Sequence, residues 1–202
     1  MTNAKFEFTG ETQVWLGIKL HRIRAVAAIA AFGVAAGDIG GWIEREENLS
    51  VSGNAWVCGN AQVYGKARVC GNARVSGNAW VCGNAQVSGN AWVYGNAQVY
   101  GKARVCGNAR VSGNAQVYGD AQVYGVNITA VRSDNYTFTV APTPDGPRII
   151  AGCRYFTFDE ARKHWTETRR NTQLGEESLA LVEHLERMAR ICGFMEPVEA
   201  LT

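Results

Sequence analysis

The chain has 202 residues, 47% of them hydrophobic and 19% charged, with a formal net charge of +2. These values exclude a disordered or strongly nucleic-acid-like polyelectrolyte and describe a globular chain long enough for one or two domains. The longest apolar run, "AVAAIAAFGVAA" from Ala25 to Ala36, has 12 residues, too few to span a bilayer and too far from the start for a cleavable signal. Neither a membrane anchor nor export is expected, and the expected compartment is the cytoplasm.

Residues 1–50 read as an N-terminal β cap. "KFEFTGE" and "IKLHRIRAV" alternate like the two strands of a hairpin, and "GDIGGWIEREENLS" leads from them to Val51.

From Val51 to Val123 a valine recurs every six residues, thirteen times without a slip, and an alanine precedes each by two positions from Val57 onward. In an extended Ala-x-Val segment the first and third side chains share a face, so Ala and Val point inward and the middle residue outward. Gly-Asn, replaced by Gly-Lys at 65–66 and 101–102 and by Gly-Asp at 119–120, supplies a corner after each strand. Gly accepts positive φ freely, and Asn tolerates it better than most residues. Strand and corner in alternation make the chain coil. Residues 51–125 are therefore predicted to form a triangular parallel β-helix, three hexads and 18 residues per turn, four turns and about 20 Å tall at the strand spacing. A left-handed coil is the usual outcome for hexads.

Residues 126–202 read as a C-terminal α+β cap. "NITAVRS", "YTFTVAP" and "RIIAGCRYF" form three short strands, the last two joined by the Pro-Asp-Gly turn at 144–146. Thr157 and Glu160 make a capping box ahead of "EARKHWTETRR". A second helix carries an apolar stripe of Leu179, Val182, Leu185, Met188 and Ala189, which packs either on its own cap or against another copy. Triangular coils commonly trimerise, so a homotrimer is expected. The fold class is thus mainly β, a β-helix closed at both ends as an open strand stack requires.

Six cysteines could suggest a disulfide framework. Four of them, Cys58, Cys70, Cys82 and Cys106, occupy a repeat slot that elsewhere holds Ser or Tyr, and their spacings match no zinc signature. Free thiols and no metal site are the expectation.

Stacking every 18 residues turns the outward slots into columns. One reads Trp56, Arg74, Trp92, Arg110; a second Gln62, Trp80, Gln98, Gln116; a third Arg68, Gln86, Arg104, Gln122. Beside the third runs Tyr64, Cys82, Tyr100, Tyr118, with Lys66 and Lys102 just past the corner. Six basic residues face only Asp120 in the coil, net +5, against −1 for residues 1–50 and −2 for residues 126–202. An Arg one turn from a Trp comes within cation–π range.

Two readings of these columns stand side by side. In one they only solubilise and stiffen the coil, copied by the duplication that relates residues 54–81 to 90–117. In the other, Tyr64, Lys66 and Arg68 with Tyr100, Lys102 and Arg104 offer π faces and cationic donors to a small anionic nucleotide, and Trp56, Arg74, Trp92 and Arg110 form a second candidate wall. Extended nucleic acid is disfavoured because +5 spread over three faces is modest. Catalysis finds little support, since no His lies in residues 51–125 and no loop breaks the hexads, as a hexapeptide acyltransferase requires; His21, His164 and His184 belong to the caps. No phosphate loop is present and no cofactor is implied.

"LHRIRA", "GDIGGWIEREENLSVSGNAWV", the "GNAxVYGNAxV" run and "GCRYFTFDEARKHW" together resemble the uncharacterised hexapeptide-repeat proteins of phages and prophages. The resemblance covers nearly the whole chain and implies the coil fold and a phage setting. On this footing the expected function is that of a non-enzymatic phage accessory binding protein that sequesters a nucleotide immune signal, in grooves between protomers or at the junction of coil and cap. An acyl-type transferase and a purely structural or oligomerisation module are the alternatives.

Overall fold

A computed structural model describes residues 4–124, 128–143, 145–152 and 154–195. Twelve two- and three-residue strands from Trp56–Val57 to Gln122–Tyr124 stack as three parallel sheets, one per face. The register is the 18-residue period: Trp56 lies beside Arg74, Gln62 beside Trp80, and Arg68 beside Gln86. Every Ala and Val of these rungs from Ala55 to Val123 is buried. Alternation along each short strand thus places two small apolar side chains on the axis and one variable side chain outside.

The coil is longer than the four turns of the hexads. Strand Ile39–Ile43 adds a rung below Gln62–Val63, in parallel register Trp42 with Gln62, so the second face has five parallel rungs and the solenoid about five turns. Two glycines of "GDIGGWIE" permit this. A Cβ on Gly40 would meet the Ile23 side chain at 2.5 Å and the Trp56 ring at 2.8 Å, and one on Gly41 would meet Val57 at 2.7 Å.

Val51 departs from its predicted inward place, being 59% exposed. Leu49 occupies the inward slot instead, bridging Val69, and the Ser50 amide donates to the Val69 carbonyl at 2.9 Å. The Leu49 side chain is buried there, and bends at residues 51–54 absorb the two-residue slip.

The N-terminal hairpin pairs Phe6–Trp15 with Ile18–Ala25, bulged between Phe8 and Thr12. Its turn places Leu16 at φ 48° and Gly17 at φ 78°, the two left-handed residues of a type I′ hairpin. The second strand lies antiparallel to Ile39–Ile43 and so closes the lower edge of the second face. The Ala-rich segment after this strand folds against the first face: Ile29 is in the coil's core cluster, with Phe32 and Val34 packed on it.

At the other end a four-stranded antiparallel meander, Ile128–Val131, Thr137–Ala141, Arg148–Ala151 and Arg154–Phe156, runs in chain order. The third predicted strand is two, because Gly152 at φ 59° turns the chain back between them. Pro144 of the predicted turn lies outside the described residues; the Gly146 amide donates to the Thr143 carbonyl at 3.1 Å. Ala141 and Ile150 join the coil core and cap it.

Helix α1 (Phe158–Thr168) starts at Thr157, whose hydroxyl accepts from the Glu160 amide at 3.1 Å while the Glu160 carboxylate accepts from the Thr157 amide at 2.8 Å. Helix α2 (Gln173–Ile191) buries Val182, Leu185 and Ala189 among Phe138, Ile149, Phe158 and Trp165. Leu179 of the same stripe also packs on this cap. Arg162 of α1 pairs with Glu186 of α2, which Arg190 also pairs at 2.7 Å.

Candidate functional site

The three corners of the coil differ in chemistry. At two of them the asparagine side chains form ladders, each amide N–H donating to the carbonyl oxygen of its neighbour one turn on. Asn54, Asn72, Asn90 and Asn108 are joined at 3.0–3.1 Å, and Asn60, Asn78, Asn96 and Asn114 at 3.1–3.2 Å. These asparagines do not take the left-handed conformation, which within the repeats falls to the corner glycines alone. The side-chain ladder, rather than tolerance of positive φ, is what asparagine contributes.

The third corner, between the second and third faces, holds Lys66, Asn84, Lys102 and Asp120 instead. Lysine fills the backbone role equally well, the Lys66 amide donating to the Gly83 carbonyl at 2.7 Å as the Asn72 amide donates to Gly89. An ammonium cannot continue an amide ladder, because it only donates. Four exposed cations therefore stand here, Lys66 and Arg68 two rungs from Lys102 and Arg104, about 9.6 Å away at the strand spacing. Lys102 has a loose, exposed contact with Asp120 at 3.9 Å.

The tyrosines beside this lysine corner are not equivalent. Tyr64 is buried under the hairpin by Leu20 and Trp42, with Trp15, Ile18 and Cys82 packed against them, and burial raises its phenol well above the usual range. Its ring is not an open stacking face, because the hairpin, invisible to the repeat, overhangs it. Tyr100 is half-buried, stacks on Tyr118 at 5.3 Å and 17°, and donates to Gln116 at 3.3 Å. A cleft of about 200 Å³ runs between Tyr64, Trp80, Cys82 and Tyr100.

The lysine corner opens at its lower end into a groove of about 700 Å³, where the lead-in passes beneath Lys66 and Arg68. Arg45, Glu46 and Glu47 line its other side. Buried Asn48 shapes it, donating to the Gly65 and Ala67 carbonyls at 3.1 and 2.8 Å and accepting from the Arg45 amide at 2.9 Å. Glu44 accepts from the Gly65 amide at 2.6 Å and pairs with Arg45 at 2.8 Å. The hexads gave no sign of Arg45 or Asn48, which stand in the aperiodic lead-in.

On the first face the column is as stacked as its period requires, but its lower end is covered. Trp56 is only 1% exposed beneath Ile29 and its neighbours, which corrects the expectation of an outward ring. Arg74 is half-buried, its guanidinium carbon 5.5 Å from the Phe32 ring and 5.7 Å from Trp92. Arg110 flanks the other side of Trp92 at 5.4 Å, and Tyr94 meets that ring edge-on at 6.3 Å. Trp92, 37% exposed, and Arg110 border a shallow hollow of about 490 Å³.

The repeat cysteines are free thiols. Burial pushes the thiols of Cys82 and Cys106 up, away from the thiolate that nucleophilic attack needs. Among the described residues no helix is long and apolar enough to cross a membrane.

Three consecutive stretches of the coil, residues 67–83, 85–101 and 103–119, match the family model of the YdcK β-solenoid repeat. No curated protein matches the chain. A β-solenoid repeat protein is therefore what both the matched repeats and the three-sided stack describe.

Proposed function

We propose that this β-solenoid is a non-enzymatic binding protein whose lysine corner holds a small anionic ligand of nucleotide type. One observation carries the reading. Two corners are tied by asparagine ladders, and the third gives up that stabilisation to present Lys66, Arg68, Lys102 and Arg104 to solvent.

Cations in pairs about 9.6 Å apart suit phosphates separated by a sugar or base, and the stacked Tyr100 and Tyr118 rings supply a π surface beside the Lys102 and Arg104 pair. The 700 Å³ groove at the coil–cap junction is positive on the side of Lys66 and Arg68, opposite Arg45, Glu46 and Glu47. The raised thiol pKa values of Cys82 and Cys106 leave those two sulfurs unactivated as nucleophiles, which favours holding a ligand beside them over transforming it.

The specific form of this reading is a phage accessory factor that sequesters a nucleotide immune signal. It is supported by the resemblance of the flanking motifs and by the rigidity of a ladder-tied coil. A homotrimer, which places corners of neighbouring copies side by side, belongs to the same proposal.

Thermal denaturation with a panel of cyclic oligonucleotides and ADP-ribose derivatives tests it. A ligand at a hundred times its Kd stabilises the fold by about 2.7 kcal/mol, a shift readily seen. Lys66→Ala with Lys102→Ala should abolish the shift, and Arg110→Ala should leave it. No shift with any compound of the panel removes the reading, and loss on Arg110→Ala alone relocates the site to the first face.

A further inference from the structure

The C-terminal cap contains a cationic hollow remote from the repeat. The end of strand Ile128–Val131, strand Arg154–Phe156 and α1 enclose a cavity of about 300 Å³. Its inner wall is Arg132 with Tyr136 and Trp165; Arg154, His164 and Arg169 surround its mouth.

Arg132 is buried and its charge is already matched. Its guanidinium grips Asp134 with two bonds of 2.9 and 2.7 Å, donates to the Ser178 hydroxyl at 2.7 Å, and lies 4.8 Å from the Tyr136 ring centroid. Beside that guanidinium the Asp134 carboxyl is held down at about 2, so the pair stays ionised and neutral overall. Arg154 and Arg169 differ. Among the described residues neither is joined to a carboxylate, and Arg154 leans over the Trp165 ring at 6.0 Å.

Two further features belong to its lining. Trp165 is 3% exposed, and its indole N–H is buried with no acceptor among the described residues. An acceptor oxygen that reaches this donor would satisfy it. His164 sits edge-on to Trp165 at 4.7 Å, and its pKa is lowered by burial first and then by the positive charges of Arg154 and Arg169, with Glu167 opposing.

We propose that this hollow is a second, independent binding site for a phosphate-bearing small anion, either inorganic phosphate or a small phosphomonoester. Arg154 and Arg169 clamp its oxygens and the Trp165 indole N–H donates to one of them. Two unmatched guanidiniums carry a charge of +2 that a single carboxylate only half offsets, whereas a phosphate dianion matches it and offers three strong acceptor oxygens. A cavity of about 300 Å³ is at the small end of ligand sites, fit for one phosphate and a few further atoms. Bound there, a dianion offsets the two arginines, and His164 becomes easier to protonate.

The test tracks the His164 ring proton by NMR in the full chain over about pH 5 to 8. Inorganic phosphate and glycerol phosphate are titrated in turn, with chloride at equal ionic strength as the control. The expected result is a saturable rise in the His164 midpoint with at least one of the two phosphates and not with chloride. Arg154→Ala with Arg169→Ala should weaken that response about tenfold or more. Lys66→Ala with Lys102→Ala should leave it intact, so this site and the lysine corner succeed or fail separately. A tighter response to the ester assigns the hollow to phosphomonoesters, and a tighter response to phosphate assigns it to the free ion. No saturable movement, an equal movement with chloride, or a response that survives loss of both arginines overturns the proposal. Because the wild-type titration alone can overturn it, misfolding of the double variant does not shield it.

Discussion

Leu49 bridges Val69, although Val51 stands one 18-residue period before that valine. The inward slot of the first third-face rung has slipped by two residues. The slip persists to the next corner, where the amide of Ala55 donates to the Gly71 carbonyl at 2.8 Å, a place that regular rungs give to asparagine or lysine. Leu49→Ala is expected to destabilise the protein by about 2–5 kcal/mol, the cost of a cavity in a packed core. Val51→Ala should change stability by less than about 0.5 kcal/mol, as exposed substitutions do. Urea denaturation of the two variants decides the register, and the reverse order of effects would restore the uninterrupted hexad.

Corner glycines divide into two groups by what lies above them. At Gly89 the backbone is left-handed, φ 68°, and a Cβ would meet the Gly107 nitrogen at 2.8 Å and oxygen at 3.0 Å. Gly113 has nearly the same backbone, φ 63°, with nothing within 4 Å. Gly113→Ala should cost only the left-handed strain, about 1–2 kcal/mol. Gly89→Ala should cost a further 1–3 kcal/mol, roughly, because adjacent turns must part to admit the methyl group. Comparison of their melting temperatures checks the difference; equal losses would mean that turn-to-turn contact is not what fixes glycine there.

The coil was legible because its pattern is local and repeated: Ala-x-Val fixes which side chains turn inward, and the period fixes which columns form. The columns through Arg74, Trp92 and Arg110 need no more than that. Burial of Trp56 and Tyr64 was not legible, since each is covered by a segment with no periodic relation to it, Ile29 with Phe32 in one case and Leu20 with Trp42 in the other. Asparagine was legible as a corner residue but for another reason, because a side-chain ladder exists only between turns. The groove at Arg45 and the hollow at Arg154 lay equally out of reach, formed by chain segments that no motif connects.

Asparagine ladders carry their own test. The Asn72 side chain donates to Asn90 at 3.1 Å and accepts from Asn54 at 3.0 Å, and Asn72→Ala removes both bonds. At about 0.5–1.5 kcal/mol for a net hydrogen bond, with the lower end favoured by exposure, a loss of about 1–2 kcal/mol is expected. Asn84, between Lys66 and Lys102, stands at the corner without a ladder, so Asn84→Ala should cost less than about 0.5 kcal/mol. Matched urea midpoints for the two variants would show that the ladder adds nothing and that the lysine corner gives up nothing by lacking it.

Lys5 ties the first strand to the coil, its ammonium donating to the Ser50 carbonyl at 2.9 Å from a buried position. Burial lowers its pKa from 10.5 to about 8. Between those values the unfolded chain holds a proton that the folded chain has released, so stability rises with pH across that window. Below about pH 8 both states are protonated and the cost of burying the charge is present in full. The gain on raising the pH to about 10.5 is up to about 3 kcal/mol for a shift of this size. Lys5→Met removes the titrating group and should flatten that rise, leaving the slope contributed by the remaining lysines and tyrosines. The measurement is the difference in unfolding free energy between wild type and Lys5→Met at several pH values through the window. A difference that stays constant with pH would mean that the ammonium reaches water in solution, and that the hairpin does not close over it.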